Sequence, residues 1–296
     1  MRLMAVSISG LDLSSPESFS RTLKNQVSKA KHPRLVLLPG FIAPAVSIAS
    51  GKMPQPAEPG ELVHQVKRNF HAWREWESEF QGLLGEVAGD LKAYVVGGST
   101  LELEKDRVYI TSNLWDYKGG FLGKQRQLHL HREELKAGFS RGEVTGTFPV
   151  DHMNLGIMVG NDAWHPETGR ILALQGADVV AAPVHVWGGY SRWLPVAGLW
   201  SQVQQNQFWG LESWSVTSCD GSYYGGECAV LAPCETSPGK TGYLERGEAG
   251  REFASGHLDE EKRHKLLEDY PLLGLLNPGA YRGNLPELYR HRGSNE

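Results

Sequence analysis

The stretch from Leu155 to Pro183 (LGIMVGNDAWHPETGRILALQGADVVAAP) constrains the fold more than any other part of this chain. Leu155 to Val159 is an apolar run of strand length. Pro166-Glu167 then opens a helix, since proline is tolerated at a first helical turn, and the pattern carries it to about Leu174. Val179 to Ala182 follows as a buried strand. A strand–helix–strand unit of this size is a parallel crossover. It requires a sheet with helices packed on it, which places the chain in the α/β class.

The remaining pattern extends that sheet. Met4 to Ile8 alternates like a half-buried strand, and Ser14-Ser15-Pro16-Glu17 starts a helix running to about Lys31. Leu35 to Leu38 and Tyr94 to Val96 are short apolar strands. Between them, Val63, Val66, Phe70, Trp73, Trp76 and Phe80 recur at three and four, so Glu61 to about Leu91 reads as helical. Arg107 to Leu114 and Gly120 to Leu130 read as a hairpin, and its antiparallel pairing makes the sheet mixed. A further helix is expected over Leu199 to Trp209, with strands near Ser213 to Ser218 and Cys228 to Leu231.

No linker divides the 296 residues, so one domain is expected over 1–296, with about 250–296 as a C-terminal tail packing on the domain or on a partner subunit. The formal net charge of -4 and the absence of a Lys/Arg block argue against nucleic acid. No apolar run approaches the roughly 20 residues needed to span a bilayer. Three cysteines (Cys219, Cys228, Cys234) without a CxxC pair argue against a disulfide scaffold or a zinc site and fit a reducing, cytoplasmic setting.

Three segments carry a resemblance to a known family: RLVLLPGF (Arg34 to Phe41), GKQRQLHL (Gly123 to Leu130) and the Leu155–Pro183 crossover. Asp162, Pro166-Glu167, Arg170, Ala173-Leu174, Gly176-Ala177 and Pro183 add to it, as do Val95 to Ser99 and YGGECAVLAP (Tyr224 to Pro233). In order and at these separations they resemble the nitrilase, or carbon–nitrogen hydrolase, superfamily. The resemblance implies an α-β-β-α sandwich with mixed sheets, commonly a homodimer or larger, and no cofactor or metal. It also implies a Glu base, a Lys and a Cys nucleophile acting on a nitrile or amide carbon. The matching positions here are Gly40, Gln127 and Gly160. Glycine can neither take a proton nor attack carbon, and glutamine has no charge to stabilise an anion.

Two functions are therefore weighed. One is a catalytically inactive relative that binds a small neutral or aromatic ligand, or a partner protein, at the former active site; the glycines should enlarge the pocket. The other is a carbon–nitrogen hydrolase with a relocated set of groups. Candidate pocket residues are Glu134 (with Glu133 as the alternative in that register), Asp162, His185, Trp187, Trp193 and Cys228. Asp162 is expected to hold a turn. His185 is placed just past the strand end at Pro183, and Trp187 and Trp193 in the Gly-rich loop beyond it, as an aromatic wall.

Overall fold

A computed structural model describes residues 1–56, 58–191, 193–217, 223–248 and 250–293. In chain order the elements are β1 (Arg2–Val6), α1 (Pro16–Lys29), β2 (Leu35–Leu37), α2 (Ile42–Ala49), α3 (Pro59–Arg68), α4 (Phe70–Leu91), β3 (Tyr94–Val96), β4 (Thr100–Glu104), β5 (Arg107–Trp115), β6 (Phe121–Arg126) and α5 (Arg132–Ala137). There follow β7 (Thr147–Val150), β8 (Met153–Ile157), α6 (Pro166–Leu174), β9 (Val179–Trp187), α7 (Ser201–Asn206), β10 (Trp209–Thr217), β11 (Tyr223–Leu231), β12 (Tyr243–Gly247), β13 (Phe253–His257), α8 (Glu260–Asp269) and α9 (Pro278–Gly293).

The strands form two mixed sheets. A seven-stranded sheet has the order β13-β1-β2-β3-β5-β4, with β6 on the other side of β5; a six-stranded sheet has the order β12-β11-β10-β9-β8-β7. β8, β9 and β10 are parallel, as the crossover demands. Alternation along β9 separates two cores. Val179 and Ala181 face the first sheet, whereas Val180, Ala182 and Val184 pack with Leu172 of α6 and Val203 of α7. On the far side, α1 and α4 cover the first sheet and pack on each other through Phe19 and Phe80. The result is the α-β-β-α sandwich.

Three local readings need correction. The helix read over Glu61 to Leu91 is two helices, broken at Asn69, whose backbone leaves the helical region (φ -108°, ψ 37°). The strand read as ending at Pro183 continues to Trp187. Met158 N donates to Ala181 O, so the N–H that Pro183 lacks would point to the same side, beyond the end of β8 at Ile157. The stretch from about 250 opens with β13, a full strand of the first sheet paired antiparallel with β1. Only the helices after it have the character of a tail; there Tyr289 Oη donates to Glu167 on α6. Among the described residues no helix is long and apolar enough to cross a membrane.

Candidate active-site pocket

Each of the positions Gly40, Gln127 and Gly160 follows a strand of the sandwich. Gly40 follows β2 in a turn where Phe41 takes a left-handed φ of 52° and donates its N–H to Ser99 Oγ at 2.7 Å. Gln127 follows β6. Gly160 follows β8 at φ 55° and opens a short 3-10 turn that leads into α6.

The two segments carrying Gln127 and Gly160 meet. A Cβ on Gly160 would stand 2.5 Å from Gln127 Oε1 and 3.0 Å from its Cδ. Gln127 Nε2 donates at 2.8 Å both to His129 O and to Glu134 Oε2. Glu134 also accepts the His131 N–H at 2.7 Å, a capping box that starts α5. Of the two acids after β6, Glu134 is buried, while Glu133 is half-buried and pairs with Lys136 at 3.1 Å. Burial pushes the Glu134 carboxyl up to about 7, with Asp162 adding in the same direction and the bonds from His131 and Gln127 opposing.

Gly40 packs under β9. A Cβ there would lie 2.4 Å from Val184 O and 2.8 Å from His185 N. The expected enlargement of the pocket at the two glycines is therefore not found. Strand backbone fills the space beside one, and the Gln127 carboxamide fills the space beside the other.

His185 faces between the sheets, where it stacks on Phe41 with ring centroids 4.2 Å apart. It sits on β9 and not in a loop beyond it. Its Nδ1 lies 2.8 Å from Ser215 Oγ and its Nε2 lies 3.2 Å from Thr217 Oγ1. Ser215 donates its hydroxyl proton to Gly40 O, so Nδ1 carries the ring proton and Nε2 accepts from Thr217. Burial lowers the His185 pKa to about 3, which keeps the ring neutral. His185 thus ties β9 and β10 to the Gly40 turn.

A cavity of about 360 Å³ opens between these segments; Glu134, Asn161, Trp164, His185, Trp187 and Leu194 are in its lining. Three candidates from the sequence, Glu134, His185 and Trp187, meet here. Trp193 does not: it is 65% exposed and absent from the lining. Trp164 takes the place expected for it, held by an indole N–H bond to Leu194 O at 3.2 Å. Its position two residues after Asp162 in the crossover segment was the available signal.

Asp162 lies beneath the pocket, fully engaged. Its carboxylate accepts from Leu128 N, His129 N and Val159 N and contacts His129 Nδ1 at 3.0 Å. Cys228 is excluded from the site: it is buried between the sheets opposite Ser213, and burial raises its thiol to about 12. Cys219 lies outside the described residues. His165 stacks on His129 at 3.9 Å, and His152 pairs with Glu260 on the surface. Among the described residues no His, Cys, Asp and Glu group is arranged to hold a metal ion.

Comparison with known proteins places this geometry. A nitrilase of Pyrococcus abyssi is 36% identical over 129 residues, 43% of this chain and 48% of that protein, so the match spans about half of the relative's length. An omega-amidase of Saccharomyces cerevisiae is 26% identical over 209 residues, 64% of this chain and 67% of that one. Among solved structures, a carbon-nitrogen hydrolase of Helicobacter pylori G27 superposes with a TM-score of 0.75 at 17% identity, covering 96% of this chain and 97% of that one. An amidase of Nesterenkonia sp. AN1, carrying an acetamide moiety covalently added at its active site cysteine, superposes with a TM-score of 0.72 at 19% identity, covering 96% of each chain. Residues 25–234, well over half of the sequence, match the carbon-nitrogen hydrolase family model, and the chain is a member of that family.

Proposed function

We propose that this family member binds a small organic molecule noncovalently in the pocket beside Glu134, and that it does not perform cysteine-based hydrolysis. The observation that carries this reading is the filling of the two glycine sites. At Gly160, where the resemblance implies a nucleophile, there is no side chain, and the Gln127 carboxamide lies against the vacant Cβ direction. At Gly40, where it implies a base, the backbone of Val184 and His185 does the same. A relocated catalytic set finds no support among the candidate groups. Cys228 is in the core, Asp162 is saturated with hydrogen bonds, and both ring nitrogens of His185 are held by hydroxyls. Glu134 lines the cavity with no nucleophile beside it among the described residues, and such a carboxyl group is a recognition element.

The test is ammonia release by the purified protein over nitriles, aliphatic and aromatic amides, ureas and N-carbamyl compounds, with Glu134→Ala assayed beside it. No turnover is expected from either protein. Turnover that falls in the variant would establish a hydrolase and overturn this reading. Equal turnover in both would identify a contaminating amidase.

A further inference from the structure

The pocket holds a carboxylate with no positive partner among the described residues. Glu134 is only 2% exposed, and its two hydrogen bonds both end on Oε2, from Gln127 Nε2 and His131 N. Oε1 has no partner among the described residues. Among the described residues no Lys or Arg borders the cavity. The remaining titratable groups around Glu134 are committed elsewhere. Asp162 binds the backbone of Leu128 and His129, His185 binds Ser215 and Thr217, and Glu133 on the outer side of α5 pairs with Lys136. His131, which also lines the cavity, accepts the Glu133 N–H at its Nδ1 at 3.4 Å. The side chain bonded to the carboxylate is the Gln127 carboxamide, which donates a hydrogen bond without supplying charge.

Leaving an ionised carboxylate buried and uncompensated is costly. A proton removes that cost, and so does a cation brought by a ligand. The aromatic lining favours the second, because indole rings attract cations. We propose that the pocket receives an organic cation bearing N–H donors, an amidinium, guanidinium or primary ammonium, which pairs with Glu134 between Trp164 and Trp187. This rests on the reading of the pocket as a binding site. It revises the expectation of a neutral ligand for a physical reason: the sequence shows the lost charges, whereas the structure shows which carboxylate remains unbalanced. Since burial holds the Glu134 proton up to about pH 7, binding below that pH exchanges it for the ligand. The carboxylic acid and the cation become a carboxylate–cation pair, and one proton goes to solvent.

Benzamidinium and benzamide test this, being nearly identical in shape and differing in charge. Calorimetric titration at about pH 8 should show benzamidinium binding at least about tenfold more tightly than benzamide. Its affinity should fall about tenfold or more on going to about pH 5.5, with one proton released per ligand bound, read from buffers of different ionisation enthalpy. Glu134→Gln should abolish the preference. Gln127→Lys should abolish it too, because it keeps the carboxylate and supplies the missing charge internally; this variant serves if Glu134→Gln folds poorly. Benzamide binding as tightly as benzamidinium at about pH 8 would overturn the cation proposal and leave the binding reading standing. So would a preference that survives both variants. No binding of benzamidinium, guanidinium or methylammonium would overturn the cation proposal as well. Ammonia released from benzamide would instead overturn the binding reading.

Discussion

Gly40 and Gly160 are crowded by different kinds of neighbour. The atoms beside Gly40 belong to the Val184–His185 peptide in the middle of a sheet, which has no freedom to turn aside. The atom beside Gly160 is the end of the Gln127 side chain, which turns only by giving up its bonds to His129 O and Glu134. Gly40→Ala should therefore destabilise the protein by about 1–3 kcal/mol, the usual cost of overpacking a core, as read by denaturant unfolding. Gly160→Ala carries an additional strain of about 1 kcal/mol from its left-handed backbone. Its overpacking component should shrink when Gln127→Ala is present, and a double-mutant cycle should return a coupling of at least about 0.5 kcal/mol. Additive effects would mean that the carboxamide does not press on that site. The sequence reveals both glycines but not what fills the space beside them, because the contacts join residues far apart in the chain, Gly40 with Val184 and Gly160 with Gln127.

At the scale of elements, Asp162 joins the segment after β6 to the turn after β8. It accepts backbone bonds from Leu128 and His129 on one side and from Val159 on the other, at 2.7 to 3.3 Å. Asp162→Ala leaves those N–H groups facing a buried gap and should cost about 2–5 kcal/mol. Because the same tie sets Gln127 against Gly160, the variant should also weaken ligand binding beyond what its stability loss explains, which titration on the folded protein would reveal. Unchanged affinity would separate the Asp162 tie from the pocket. The elements around the tie were legible where short-range rules act. Ser15 caps α1 by accepting the Ser18 N–H, and Pro166 opens α6. The continuation of β9 through Pro183 was not legible, because it depends on β8 ending first, a property of the assembled sheet. His185 and Trp187 consequently line the cavity from a strand rather than from beyond its end.

For the whole molecule, buried ionisable groups set the response to pH. On the outer face of the second sheet, Glu212 and Glu227 are both buried, and the guanidinium of Arg246 bonds Glu227 at 2.7 and 2.8 Å. Neither Glu212 oxygen has a partner at hydrogen-bonding geometry among the described residues. Burial, with the Glu227 charge adding to it, raises Glu212 to about 8, and burial raises Glu134 to about 7, both from 4.5. Above pH 4.5 the unfolded chain releases these protons while the folded chain keeps them, so stability falls as pH climbs through the folded values. His185 acts in the opposite direction. Its imidazole stays neutral when folded down to about pH 3 but charges near 6.5 when unfolded, so its contribution is lost as pH falls below 6.5. The melting temperature should therefore peak at about pH 4.5, where the two carboxyl contributions begin to outweigh that of His185, and decline toward about pH 8. Glu212→Gln should flatten that decline, by at most about 1.4 kcal/mol for each pH unit in which the two states differ by a full proton. Because the group is buried, added salt should change the slope little. A Glu212→Gln curve parallel to that of the parent protein would show that Glu212 is ionised in the fold. A counter-charge beyond Arg246 would then have to neutralise the pair.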